Sequence, residues 1–278
     1  MPVNDNLGKR MKENYESVPK THLMRRTPVA IRLDGKAFHT FTRGFNKPFD
    51  RVLMNSMQET MKYLCQHIQG CVFGYTQSDE ITLILKDYNT FETEAWFDYE
   101  VQKMCSISAS MATMAFNKIF ANEVDYLEMT NEADMYYPAL NKGAMFDARC
   151  FNIPREEVVN LIYWRQLDAV RNSIQMVGQA NFSHKELQGK SCNMIQDMLF
   201  TEKGINWNDF PTDCKRGSCC IKNYYNAYDD TLVYPGKFGE WVIDHDIPIF
   251  KGESRYYIEK FLLADDEKNE IQKRRGLI

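Results

Sequence analysis

A chain of 278 residues with 44% hydrophobic and 26% charged side chains can bury a sizeable core, which excludes a disordered or fibrous protein. Its 34 Lys and Arg stand against 38 Asp and Glu, a net charge of −4, so no bulk positive field announces a nucleic-acid partner. No run approaches the roughly 18 apolar residues of a membrane span, and the opening MPVNDNLGKRMKENYE has no apolar signal core; the expectation is a cytoplasmic protein without a membrane partner.

In chain order, the first 20 residues read as a short polar helix with an extended lead-in. PVAIRLD (28–34) is a β-type run that follows Thr27 and ends in an aspartate before Gly35. Leu53, Met57, Met61, Leu64 and Ile68 recur at spacings of four and three, one face of a helix. CVFGYT (71–76) and ITLILK (81–86), separated by Gln77-Ser78-Asp79-Glu80, describe a hairpin. A helix is expected over 94–120, with Phe97, Val101, Met104, Ser108, Met111, Ala115 and Ile119 as its apolar stripe, and AMFDARCFNI (144–153) alternates as a strand. Strand, helix, strand, strand, helix, strand is the order of an α+β, ferredoxin-like β-α-β-β-α-β domain. A third long helix from Arg155 opens a mainly helical second half with short strands at 218–225 and 240–246. The expected division is 1–24 as N-terminal helix and lead-in, 25–154 as the β-α-β-β-α-β domain, and 155–278 as the mainly helical remainder. Eight scattered cysteines, with no CxxC pair and no nearby His at ligand spacing, read as reduced thiols rather than a zinc site.

In that architecture Asp34, at the end of the first strand, and Asp79, at the hairpin tip, converge although 45 residues separate them. Two such carboxylates suit divalent ions that keep waters and bind substrate phosphates, the logic of a polymerase palm. The same residues also suit ordinary turns. Gly35-Lys36-Ala37-Phe38-His39 offers successive backbone N–H groups after a strand, an anion-binding concavity, with Lys36, Arg43, Lys47 and Arg51 nearby; a plain turn before a solvated basic face is the other reading.

RLDGKAFHTFTRGFNKPFD (32–50), GYTQSDEITLIL (74–85), KMCSISASMATMAFN (103–117) and WRQLDAVRN (164–172) resemble the motifs of the tRNA(His) guanylyltransferase family, in particular its guanylyltransferase-like branch. The resemblance implies a palm-type domain that adds nucleotides to RNA 5′ ends in the 3′ to 5′ direction, using two Mg²⁺ ions and ATP or GTP, with tRNA and nucleoside triphosphates as partners and a homotetrameric assembly. It assigns metal binding to Asp34, Asp79 and the Gly35 carbonyl, with Glu80 beside them as a further catalytic carboxylate. Nucleotide binding falls to Gly35, Lys36, Ala37, Phe38, His39, Lys47, Asp50 and Ser78. RNA contact falls to Lys103, Ser106, Arg149, Arg165, Asn172, Lys215 and Arg216.

The family's His-Ile-Asn-Asn-Leu-Tyr-Asn stretch is replaced here by Asp168-Ala169-Val170-Arg171-Asn172-Ser173, and the loop from His39 to Lys47 is shorter. Both departures favour template-dependent repair of 5′-truncated tRNA over strict guanylation of tRNA(His). A nucleotide cyclase on the same palm and a non-catalytic tRNA-binding module are the competing readings. The EWVIDHDIPIF segment reads as core packing, and KRRGLI as a basic tail.

Overall fold

The computed structural model describes residues 6–128, 132–223, 239–265 and 267. In chain order the elements are α1 (Asn6–Met11), β1 (Val29–Gly35), α2 (Phe38–Phe41), α3 (Arg51–His67), β2 (Cys71–Gln77), β3 (Glu80–Leu85), α4 (Val101–Glu128), α5 (Tyr137–Lys142) and β4 (Phe146–Asn152). They continue with α6 (Val158–Asn181), α7 (His184–Leu187), α8 (Cys192–Lys203), α9 (Thr212–Arg216), β5 (Ser218–Asn223), β6 (Glu240–Asp244) and α10 (Tyr256–Glu259). The six strands form one antiparallel sheet in the order β4-β1-β3-β2-β5-β6.

Strand alternation sorts the sheet into two faces. Val29, Ile31 and Leu33 of β1, with Ile81, Leu83 and Leu85 of β3, are buried with Met57, Met61 and Leu64 of α3 and Met104, Ala112 and Phe116 of α4. Ala30, Phe73, Tyr75 and Ile84 pack on the other face with Val158, Val159 and Ile162 of α6 and with Phe250 and Phe261 near the C-terminus. Along β1 this second face changes from Ala30, which is buried, to Arg32 and Asp34, which are partly open. The charged end of the strand is therefore where the covering of α6 stops being apolar.

Two sequence expectations shift. The helix expected over 94–120 begins at Val101 and runs to Glu128, because Phe97, Asp98 and Tyr99 hold left-handed φ values of 51°, 51° and 56°. The Tyr99 carbonyl accepts the Leu23 N–H and the Val101 N–H donates to Thr21, which stitches this turn to the N-terminal lead-in. Met104, Ser108 and Ala115 of the expected stripe are buried, but Ala112, Phe116 and Phe120 are fully buried beside them while Met111 and Ile119 are half-buried, so beyond Ser108 the core face shifts by about one residue. Small residues at 108–115 leave that rotation open to more than one reading. Trp241 is 7% exposed and joins the core, and Asp244 accepts a hydrogen bond from the Tyr257 hydroxyl at 2.6 Å, so the EWVIDHD segment is β6 plus a packing contact. All eight cysteines are free thiols. KRRGLI and residues 224–225 lie outside the described residues, and no described helix is long and apolar enough to cross a membrane.

Candidate active site

Asp34 pairs across the sheet with Glu80 on β3 and Asp147 on β4. Asp79 occupies the turn between β2 and β3 beside Ser78, whose φ is 50° and whose hydroxyl donates to the Asp79 carboxylate at 3.1 Å. The Gly35 N–H donates to the Asp79 carbonyl at 3.0 Å, which pins the hairpin tip to the end of β1. The carboxyl of Asp34 has no hydrogen-bonding or ion-pairing partner among the described residues. Burial raises its pKa above the ordinary value, and the neighbouring Glu80 and Asp147 raise it further. Burial also pushes Asp79 up to about 6, with Asp34 adding to the shift. Arg149 and Arg32 oppose that rise at Asp34 from a distance while ion-pairing with Asp147 and Glu80, so Asp34 and Asp79, neither of which has an ion-pair partner of its own among the described residues, fit a divalent cation that would supply the missing counter-charge. Among the described residues no group of three or more His, Cys, Asp or Glu forms a complete cage, so waters, main-chain oxygens and phosphates would have to fill the remaining positions.

Beside Asp79 lies a cavity of about 470 Å³ whose walls include Gly35, Ala37, Phe38, His39, Lys47, Asp50, Ser78 and Asp79. Its shape depends on local backbone geometry. A Cβ on Gly35 would stand 2.3 Å from the Phe38 ring, so only glycine lets Phe38 tuck beneath the strand end. Phe38 then anchors α2 in an aromatic cluster with Phe41, Phe116 and Phe146, and Ala37 turns the chain through a left-handed φ of 55°.

The phosphate-cradling role assigned to 35–39 needs narrowing. The amide of Gly35 is committed to Asp79 and that of Lys36 to the Met145 carbonyl, and Lys36 does not line the cavity. The amides of Ala37, Phe38 and His39 have no acceptor among the described residues, and with Lys47 they can donate to an anion. Asp50 lines the cavity, but its carboxylate is already engaged by the Leu53 N–H at 2.9 Å, the Asn46 N–H at 3.0 Å and the Tyr136 hydroxyl at 2.8 Å. It caps α3 and fixes the Lys47 loop. Asp50→Ala therefore removes a cap and strands the buried Tyr136 hydroxyl, an expected loss of about 2–4 kcal/mol, with Asp50→Asn losing less; urea unfolding measures both.

The expected RNA contacts divide. Arg149 lies on the Asp34 face of the sheet, opposite Arg32, with a 2.8 Å bond to Asp147 and over half its side chain exposed. Asn172 is partly exposed on α6, one turn before Met176. Arg165, expected at the RNA surface, is instead 4% exposed, paired with Glu80 at 3.1 Å and with Asp168. Lys215 is likewise internal, donating to the Asn208 carbonyl over the Trp207 ring. Arg216 is half-buried and reaches the Thr212 hydroxyl at 3.5 Å. Lys103 and Ser106 sit near Cys105, which meets Cys150 opposite Ile31. The carboxylate end of β1 is instead met by Thr113, which binds Phe146 opposite Gly35. Lys103 and Ser106 therefore lie toward the far end of the sheet.

Glu80 forms ion pairs with Arg32 at 3.3 Å and with Arg165 at 3.1 Å, so it organises a charged layer next to Asp79. Sequence reading missed Thr42, Asn46, Met176 and Gln179 in the cavity wall. The last two follow Asn172 at i+4 and i+7 on α6, a spacing visible in the sequence once one member of the face is suspected.

A family model described as tRNAHis guanylyltransferase matches residues 8–154, more than half of the chain. The chain belongs to the tRNAHis guanylyltransferase family. A bacterial tRNA(His) guanylyltransferase-like protein solved in complex with ATP is 42% identical, with a TM-score of 0.78 over 92% of this chain and 99% of that one. A bacterial protein of the same description solved with GTP is 38% identical, with a TM-score of 0.70 over 93% and 99%. The tRNA(His) guanylyltransferase of Saccharomyces cerevisiae is 26% identical over 204 residues, 68% of this chain and 80% of that protein. This family member is thus a tRNA guanylyltransferase-like nucleotidyltransferase, a mixed helix and strand protein with a single antiparallel sheet.

Proposed function

We propose that this enzyme adds nucleotides to the 5′ end of tRNA in the 3′ to 5′ direction, with repair of 5′-truncated tRNA as its main role. The observation that carries the reading is the Asp79 carboxylate, close enough to Asp34 for the two charges to interact, in the wall of a cavity also lined by Ala37, Phe38 and His39, whose amides are open, and by Lys47. Solved relatives in complex with ATP and GTP support a nucleoside triphosphate in that cavity. The strand order β4-β1-β3-β2 supports reading 25–154 as a ferredoxin-like palm, with 155–278 serving RNA binding and tetramer assembly.

In the first step the 5′-monophosphate of the RNA attacks the α-phosphate of ATP, forming a 5′-adenylylated end and releasing pyrophosphate. The 3′-hydroxyl of an incoming nucleotide then attacks the activated phosphate and expels AMP. Asp34, Asp79 and the Gly35 carbonyl would hold Mg²⁺, which when bound offsets phosphate charge and lowers the pKa of an attacking hydroxyl. The amides of residues 37–39 and Lys47 orient the triphosphate beside those carboxylates, and Glu80 with Arg32 and Arg165 holds the hairpin tip in place. A cation must displace the proton that Asp79 holds below about 6. Apparent Mg²⁺ affinity is accordingly expected to weaken as pH falls through about 6, measured as the Mg²⁺ concentration giving half-maximal activity between pH 5 and 8.

Strict guanylation of tRNA(His) is the second reading, favoured by the curated relative from yeast. Repair is favoured by the altered 168–173 stretch and by the greater likeness to the bacterial guanylyltransferase-like proteins. The deciding assay supplies ATP, Mg²⁺ and all four nucleotides to 5′-monophosphorylated tRNAs lacking their first nucleotide, alongside intact tRNA(His). Templated extension of several truncated tRNAs at rates above guanylation is the expected result. Extension of tRNA(His) alone would establish the second reading, and extension of neither would remove both.

A further inference from the structure

Trp164 of α6 is 52% exposed although it stands beside the most charged part of the sheet. The guanidinium carbon of Arg165 lies 4.2 Å from its ring centre and that of Arg32 lies 5.4 Å away. Both arginines reach the same Oε2 of Glu80, at 3.1 and 3.3 Å, so both guanidinium groups are anchored on one carboxylate, and about half of the indole stays open to solvent. Leu167 and Arg171, both exposed, follow at i+3 and i+7 on the same face of α6.

The location matters as much as the exposure. Glu80 adjoins Asp79 and pairs with Asp34, so Trp164 is two side chains away from the carboxylate pair. It does not line the nucleotide cavity, which α6 enters only at Met176 and Gln179, about 18 Å further along the helix. The cavity accounts for the triphosphate; the other reactant needs a separate platform near the same carboxylates.

We propose that Trp164 is that platform: its open face stacks on a nucleobase of the RNA strand whose 5′ end reacts, with Arg149 and Arg171 placed to meet the phosphates. This rests on the reading of the chain as an RNA 5′-end nucleotidyltransferase. An indole face held by two guanidinium groups is rigid and apolar on its open side, and base stacking on such a surface is tolerant of sequence because every base has a π-face. Tolerance of that kind is what a repair enzyme acting on different tRNA ends requires.

The test uses 5′-truncated tRNAs carrying 2-aminopurine, whose fluorescence dims on stacking, at each of the first few 5′ positions. Binding to the wild-type protein is expected to dim one position, Trp164→Phe to retain the effect, and Trp164→Leu to lose it. Trp164→Leu is further expected to raise the KM for RNA about tenfold or more, while the KM for ATP stays where it was. The proposal is overturned if RNA binds the wild type without dimming any position, or if Trp164→Leu retains both the dimming and the RNA KM. It is also overturned if Trp164→Leu changes the sedimentation of the protein alone, which would make the indole a protein–protein contact. A wild-type protein that neither binds nor extends these RNAs would instead remove the functional reading beneath it, and stacking with it.

Discussion

Asp79→Asn is expected to lower 5′ nucleotide addition by about 10³-fold, and in the same protein to raise the stability of the metal-free fold at pH 8. The first effect follows from losing a carboxylate that would hold a cation worth several kcal/mol of charge stabilisation, at about 1.4 kcal/mol per decade of rate. Asparagine keeps the shape and can still accept the Ser78 hydroxyl, and the amides of 37–39 are untouched, so ATP binding should persist while transfer fails. The second effect has the opposite sign because of burial. Asp79 has a folded pKa of about 6 against an ordinary 3.8, so charging it disfavours the fold. That penalty is absent below about pH 4 and complete above about pH 6. The variant should therefore exceed the wild type by on the order of 2 kcal/mol at pH 8 in EDTA, with the difference vanishing near pH 4. Single-turnover transfer and thermal unfolding across pH measure the two halves. A variant that is active, or one that is less stable than the wild type at pH 8, would show that Asp79 is not the strained, cation-seeking group described.

How much of this was legible beforehand depends on the range of the interactions involved. β1, α3 and the β2–β3 hairpin follow from local periodicity, and Asp34 and Asp79 stood out because strand ends and hairpin tips are marked by short-range signals. The family resemblance turned those marks into roles. What could not be read was the fate of each polar group after packing. Arg165 and Lys215 look like surface cations in sequence, yet Glu80, 85 residues away, draws the first inside, and the Asn208 carbonyl and Trp207 ring of the preceding loop take in the second. Asp50 reads as a phosphate-side carboxylate, but three donors from the chain itself consume its acceptors. Conversely Met176 and Gln179 carry no motif, and only the path of α6 across the sheet brings them to the cavity.

The buried position of Arg165 also sets the second large effect. Arg165→Ala is expected to destabilise the protein by about 3 kcal/mol, because removing one member of a buried ion pair leaves the others uncompensated. Its guanidinium bridges Glu80 on β3 and Asp168 on α6 and stacks on Trp164; without it, of two carboxylates whose side chains are 19% and 20% exposed, Glu80 keeps Arg32 and the Gln77 amide and Asp168 keeps Arg171. At this chain length the loss corresponds to a fall in Tm of about 6–12 °C. Arg165→Lys retains the charge but cannot reach both carboxylates in one plane, so it should fall between wild type and alanine. An internal strut and an RNA contact then part company in the salt dependence of tRNA binding. Loss of a phosphate contact reduces the slope of log affinity against log salt by about one, whereas loss of an internal pair leaves the slope unchanged. An unchanged slope with a lowered Tm is expected for Arg165→Lys, against a reduced slope with an unchanged Tm for Arg149→Ala, whose side chain is mostly exposed beside Asp34. The reverse pattern would move Arg165 back to the RNA surface and leave the alignment of Glu80 beside Asp79 without its explanation.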